Sequence, residues 1–185
     1  MDEALFDQVI AAADKIESSA VNCVTAESFS YQFYLSQDTS ALAVHAEAVA
    51  QRLRDVADEA ELEINLVRTG SRGLFYLEPL LEVDINEKRI GFGPVTPADI
   101  DSILSALGTD PSIHPLHLGI VDDIDYLSHQ QRITFARAGL GDPICLDNYQ
   151  NLAGFEGLRK ALLMTQQNIV DEIKQSGLRG RGGAA

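Results

Sequence analysis

The sequence predicts an α/β fold over residues 28–108, on three observations. Residues 42–60 carry a single apolar stripe at alternating steps of four and three, the spacing of one helix face. Around that helix lie short runs of strand character: SFSYQFYLS at 28–36, EINLVR at 63–68, PLLEVDI at 79–85 and RIGFG at 89–93. A second helix is announced by Thr96 and Pro97 and stopped by Gly108.

Each element has its own reason. The first strand is rich in Phe and Tyr. QDTS follows it, and Asp38, Thr39 or Ser40 can cap the next helix. Leu42, Ala46, Val49, Leu53, Val56 and Ala60 form that helix's stripe, with Glu47, Gln51, Arg54 and Asp58 outside and Arg54 spaced to pair with Asp58. In the turn TGSRG, Gly70 and Gly73 are free to take positive φ. NEK turns the third strand into the fourth, making a hairpin. Ile100, Ile103, Leu104 and Leu107 mark the buried face of the last helix. Two strands flanking a helix should run parallel through a right-handed crossover. With a hairpin and a helix after them, the order is that of an α/β sandwich of the thioredoxin kind.

Outside this block, Leu5, Phe6, Val9, Ile10, Ala13 and Ile16 predict a helix over 3–18. Residues 109–125, with Asp110, Pro111, Pro115, Gly119 and the acidic VDDID, read as a solvated connector. LSHQQRITFARAG is compatible with a helix or an extended arm. Phe155, Leu158, Leu162 and Leu163 predict a short helix. Thr165 caps another, with Ile169, Val170 and Ile173 inward and Gly177 as its stop. The organisation is thus 1–27, an N-terminal helix and linker; 28–108, the sandwich; and 109–185, a connector leading into something further.

Composition narrows the function. The chain has 185 residues, 45% hydrophobic and 23% charged, as in an ordinary globular protein. A net charge of −14 argues against nucleic acid and anionic membrane as partners. No apolar run approaches the ~18 residues of a membrane span, and MDEALFDQ lacks a signal-peptide pattern. A cytoplasmic location is expected. Cys23 and Cys145 read as free buried thiols. His114 and His117 flank a proline and read as loop packing, His45 as an exposed helix residue, and His129 as a solvated or interface residue; no metal site is expected.

The segment SGLRGRGGA, residues 176–184, crowds glycines and arginines. Glycines let backbone N–H groups converge on an anion, and arginine adds charged donors. The spacing is neither a Walker loop nor a dinucleotide-fold fingerprint. Preceded by FEGLRKALLMTQQNIVDEIK, and with QQRITFARAGLGDP and LDNYQNLAGFEGLRKAL upstream, it resembles the NADH- and flavin-binding subunit family of complex I. That family includes the diaphorase (beta) subunits of NAD-dependent formate dehydrogenases and of NAD-reducing hydrogenases. In it the motif continues as GLRGRGGAGFPTG and holds FMN and the nicotinamide nucleotide. The resemblance implies that Gly180, Arg181, Gly182, Gly183 and Ala184 contribute to that cofactor loop. It also implies that the 185 residues are the front of a longer flavoprotein, with no catalytic residue of their own.

Many of these subunits begin with a thioredoxin-like ferredoxin domain, whose two-iron cluster is held by a Cys-x4-Cys pair and a Cys-x3-Cys pair. Here TGSRGLFYLEP keeps the frame in Thr69, Gly70, Gly73 and Pro79. Ser71 and Phe75 stand where the resemblance implies thiolates, and Ser36 and Ala41 stand at the first pair. Serine is a poor cluster ligand, and alanine and phenylalanine are none. The expectation is a thioredoxin-like ferredoxin fold lacking cluster cysteines, with Phe75 filling the space. The absence of a cluster favours the diaphorase subunit of a soluble formate dehydrogenase. The implied parent uses FMN and NAD, neither expected on the fragment. The implied partners are a separate two-iron thioredoxin-like subunit and the catalytic formate dehydrogenase subunit. The alternatives are a hydrogenase diaphorase, or a complete non-catalytic scaffold that docks through an edge strand and the N-terminal helix.

Overall fold

The computed structural model describes residues 31–180 and residue 182. The helix expected at 3–18 lies outside them. The described residues fall into two compact units, 31–152 and 153 onward.

The first unit is built on a five-stranded sheet in the order β2-β1-β3-β4-β5. β1 (Tyr31–Ser36) and β2 (Ile64–Thr69) pair in parallel, Phe33 opposite Leu66 and Ser36 opposite Thr69. β3 (Leu81–Ile85) runs antiparallel to β1 and to β4 (Lys88–Phe92). The β3–β4 turn is Asn86-Glu87, with φ of 51° and 63°, the left-handed pair that suits a two-residue hairpin. Strand, helix, parallel strand, then hairpin and helix is the thioredoxin-like arrangement expected from the sequence.

Alternation along the strands divides the sheet's two faces. Phe33, Leu35, Leu81, Val83 and Phe92 meet Val49, Leu53, Ile100 and Ile103 in one apolar core. Tyr34, Ser36, Glu82, Asp84 and Arg89 take the other face, which is therefore polar.

The long helix departs from expectation. It is two helices, α1 (Thr39–Ala43) and α2 (Ala46–Glu59), split at His45 in the left-handed region with φ of 71°. The break resets the phase. Ala41, Ala46, Val49, Ala50, Leu53, Val56 and Ala57 are buried, while Leu42 and Ala60 of the predicted stripe are exposed. A straight helix could not turn both Ala41 and Ala46 onto the sheet. Arg54 pairs with Glu47 at 3.9 Å rather than with Asp58. Glu47 also accepts from Arg68 Nη1 at 2.7 Å and so fastens α2 to β2.

Thr96 opens the next helix through a reciprocal capping box with Asp99. A turn of 3₁₀ helix precedes α3 (Ile100–Leu107). Gly108 ends it with φ of −73°, so its freedom at positive φ is not used. Residues 109–125 are more than a connector. His117–Ile120 forms β5, antiparallel to β4, with Ile90 opposite Ile120. Four residues split by Gly119, at φ of 78°, carry too little periodicity to read as a strand. His114 and His117 pack edge-on against Phe92, both with ring centroids 5.7 Å away.

LSHQQRITFARAG is neither helix nor arm. Its first two residues end the short α4 (Asp125–Ser128), and the chain then runs irregularly to α5 (Leu146–Asn151). Cys145 is disulfide-bonded rather than a free thiol. The chain's other cysteine, Cys23, lies outside the described residues. In the second unit, α6 (Glu156–Leu162) and α7 (Gln166–Ser176) stand where the periodicity placed them. Thr165 Oγ1 accepts from Asn168 N at 3.2 Å, and Gly177 closes α7 at φ of 65°. Among the described residues, no helix is long and apolar enough to cross a membrane.

Phe33 is fully enclosed at the centre of the sheet. Phe33→Ala should cost about 3–5 kcal/mol, read as a lower midpoint in urea unfolding. Leu42→Ala, on the exposed side of α1, should change it by less than about 0.5 kcal/mol.

Candidate functional site

The loop after β1 meets the loop after β2, as the parallel crossover requires. Ser36 is buried at the end of β1, and its Oγ accepts from Asp38 N at 3.2 Å. Gln37 N donates to Thr69 O at 2.9 Å. The Asp38 carboxylate does not cap α1; it reaches across and accepts from Ser71 N at 2.5 Å. Ser71 Oγ donates to Glu78 Oε1 and accepts from Gly73 N, both at 3.0 Å. Leu80 N donates to Glu78 Oε2 at 3.1 Å. The chain Ser36–Asp38–Ser71–Glu78 thus joins the two loops through hydrogen bonds alone. Gly73, at φ of 85°, supplies the left-handed turn that permits it; Gly70 does not.

These are the positions the resemblance assigns to a two-iron cluster, and the residues do not fit one. Ser36 and Ser71 are committed to backbone and Glu78. Ala41 belongs to the apolar core. Phe75 does not fill a vacated space, contrary to expectation: it is 64% exposed, on a 3₁₀ turn beside Tyr76 at 67%. The reason is local. Ser71 and Glu78 pin both ends of the loop and turn its single-turn helix outward, while Leu74 points in. Leu74 packs with Leu80, Val121 and Leu127 in a second small core. Among the described residues, no three His, Cys, Asp or Glu side chains are grouped to hold a metal.

Glu78 is nearly enclosed, and burial pushes its carboxyl above the ordinary range. The hydrogen bonds from Leu80 N and Ser71 oppose the shift; Glu82 and Asp38 add to it.

Beside this network lies the polar face of the sheet. Arg72 and Glu82 are both buried and bind bidentately, Nε to Oε1 at 2.7 Å and Nη2 to Oε2 at 2.8 Å. Arg72 Nη1 also donates to Asp122 at 3.1 Å, so the acidic run is anchored rather than wholly solvated. Arg89 stacks over the Tyr34 ring at 3.4 Å and donates to Gly139 O and Leu140 O, both at 2.6 Å. Tyr34 Oη donates to Asp84 at 2.7 Å; burial first, then that bond, raises the phenol's pKa. Arg132 Nη2 donates to Arg72 O at 2.5 Å. Residues 132–140 are thereby strapped across the polar face. A cleft of about 520 Å³ opens there, with Asp38, Ser71, Phe75, Tyr126, Arg132 and Phe135 among its walls.

Gly139 shows how close the strap lies. Its φ is 79°, and a Cβ there would stand 2.3 Å from Arg72 Cγ. Sequence reasoning missed Arg72, Glu82, Arg89 and Gly139. The available signal was alternation: in LEVDI, leucine and valine face one way, which leaves two carboxylates facing the other and in need of cations.

Of the predicted cofactor-loop residues, the structure describes Gly180 and Gly182, both exposed. Arg181, Gly183 and Ala184 lie outside the described residues. A Cβ on Gly182 would meet nothing within 4 Å.

Comparison with known proteins bears on the chain's origin. No protein-family profile matches it. It is 53% identical over 55 residues to the NADP-reducing hydrogenase subunit HndC of Solidesulfovibrio fructosivorans, covering 30% of this chain and 11% of that protein. It is 56% identical over 39 residues to an NADH-quinone oxidoreductase subunit of Streptomyces coelicolor, 21% of this chain and 9% of the relative. The corresponding Escherichia coli protein is 49% identical over 43 residues, 23% and 10%. Over a short stretch, this chain is similar to subunits of NAD(P)-linked oxidoreductases. It spans about a tenth of the length of the curated relatives it matches. Among solved structures, the thioredoxin-like 2Fe-2S ferredoxin of Aquifex aeolicus aligns at a TM-score of 0.41 and 14% identity, over 50% of this chain and 99% of that one. A cysteine-to-serine variant of it aligns at 0.41 and 17%, over 48% and 98%. These likenesses carry no argument about the site.

Two outcomes follow from the geometry. Glu82→Gln leaves the buried Arg72 guanidinium with only the exposed Asp122 as counter-charge and should cost about 3–5 kcal/mol, whereas Arg72→Met together with Glu82→Leu should cost less; urea unfolding of the two variants measures this. For Glu78, the folded-state pKa exceeds the unfolded one, so the folded state holds the proton more tightly. Its contribution to stability should be greatest below the ordinary carboxylate pKa and decline as pH rises toward the raised value. Comparing unfolding free energy against pH for the native chain and Glu78→Gln should show that slope in the native chain only.

Proposed function

We propose that this chain is the front portion of an NAD(P)-linked flavoprotein subunit, and that its thioredoxin-like unit serves there as a docking scaffold rather than an electron carrier. The observation that carries the reading is the 53% identity over 55 residues to the NADP-reducing hydrogenase subunit. The donor set supports the scaffold role. Thiolates hold two-iron clusters, and here the loops offer hydroxyls, a methyl and an outward phenyl ring.

In this reading Gly180, Arg181, Gly182, Gly183 and Ala184 face the phosphates of FMN and NAD once further protein supplies the walls. Oriented donors need rigid support to bind tightly. The flavin carries the hydride chemistry; this chain contributes positioning. The parent is an NAD-dependent formate dehydrogenase, with its catalytic subunit and a separate two-iron thioredoxin-like subunit as partners, in the cytoplasm. The replaced cluster ligands favour formate over hydrogen as the parent's substrate. The hydrogenase relative supports the second reading, a diaphorase subunit of an NAD(P)-reducing hydrogenase.

Isolating the chain by an affinity tag from its native cells tests this. The assembly should reduce viologen with NADH or NADPH, and formate should drive NAD reduction in it. Hydrogen-driven reduction would select the hydrogenase reading, and an assembly with no nucleotide-linked activity would overturn both. The scaffold role has its own test. After anaerobic treatment with ferrous iron and sulfide, the isolated 185-residue chain should bind no stoichiometric iron.

A further inference from the structure

Residues 153–180 form two helices whose described residues build no buried core among themselves. No described residue among them is buried. α6 presents Leu158, and α7 presents Val170 and Ile173, 42%, 46% and 55% exposed, with Ile169 beside them only half-buried. An 11-residue helix such as α7 does not persist in water on propensity alone; helices this short need a packed apolar face. Something must cover this one.

The sequence contains a matching piece. Leu5, Phe6, Val9, Ile10, Ala13 and Ile16 recur at helical spacing over 3–18. A 16-residue helix would be about 24 Å long, enough to run the full length of α7 at about 1.5 Å per residue. Charge selects the same pairing. Residues 1–30 hold six acidic side chains and one lysine, and residues 31–152 hold nineteen acidic and eight basic. Residues 153–185 reverse the balance, with Arg159, Lys160, Lys174, Arg179 and Arg181 against Glu156, Asp171 and Glu172. The stretch 153–185 is thus the part of the chain whose net charge attracts an acidic segment, through Arg179 and Arg181 just beyond the charge-balanced α6 and α7.

We propose that segment 3–18 of this same chain lays its apolar stripe on the exposed face of α6 and α7, and so completes the core of the C-terminal unit. The pairing joins the two ends of the chain and sets the helix that leads into the SGLRGRGG loop. It is independent of the parent enzyme's identity.

Hydrogen exchange on the full chain tests it, comparing the native protein with a Val9→Asp, Ile16→Asp double variant. Amides of Gln166–Ser176 should exchange at least about tenfold faster in the variant, as for a helix released to local opening. Those of β1, β3 and β4 should be unchanged, and both proteins should sediment as monomers. Unchanged exchange in α7 overturns the proposal. So does a dimer of the native chain whose dissociation on dilution produces the same acceleration, since a second copy would then be the cover.

Discussion

The buried carboxylate of Glu82 is the constraint around which the first unit is arranged. It sits mid-strand on β3, flanked by Leu81 and Val83, which alternation sends to the apolar side. A charge there is tolerable only with a full set of donors. Arg72 supplies a bidentate pair, and Arg89 stands at 3.5 Å from the same group. To deliver Arg72, the loop after β2 must fold back over the sheet. To deliver Arg89, the hairpin must be in register. Both guanidinia have donors to spare, and these recruit Asp122, Gly139 O and Leu140 O. One unfavourable burial thus organises a loop, a hairpin and the strap at 132–140.

The same loop explains the neighbouring network. Residues 69–80 leave β2, place Arg72 under the strap, and return to β3. Their two ends are tied by Ser71 and Glu78, and the whole is tied to the loop after β1 by Asp38. A metal cluster would bind four chain positions at one point with strong, short bonds. The hydrogen-bonded chain spreads the same task over weaker links, each with a net worth near 1 kcal/mol. Its cost falls on Glu78, held in a setting that disfavours its charge. The aromatic side chains displaced outward, Phe75 and Tyr76, leave apolar surface beside an open cleft, the composition usual in protein interfaces.

The distribution of charge divides the chain in a way the net value of −14 conceals. The thioredoxin-like unit is acidic throughout, and its ion pairs lie mostly at the sheet face and on α2. The C-terminal helices are balanced, three acidic side chains against three basic, and the basic excess of 153–185 is Arg179 and Arg181 of the glycine-rich segment. Arginine and glycine together suit phosphate, but only when the backbone is held still.

Periodicity alone determined much here. The strand-like runs at 28–36, 63–68, 79–85 and 89–93 and the Thr96-Pro97 start named the strands, the second helix and the thioredoxin-like order, because those signals depend on local geometry and composition. The helical stripe at 42–60 was legible but not its break at His45, since the phase of a helix is set by the sheet it meets. β5 escaped notice because four half-buried residues at a sheet edge carry almost no pattern. Phe75 illustrates the limit most directly. Its position in the loop could be matched to a ligand site, yet whether it turned inward depended on Ser71, Glu78 and Leu74, which compete for the same interior. The pairing of Arg72 with Glu82, the close approach of Gly139 and the relay from Asp38 to Glu78 join residues up to 67 positions apart in sequence (Gly139 and Arg72), a separation over which neighbouring residues carry no trace of one another. Local sequence specified which elements form; only the meeting of distant side chains in a dry interior decided what stands where a cluster's ligands would be.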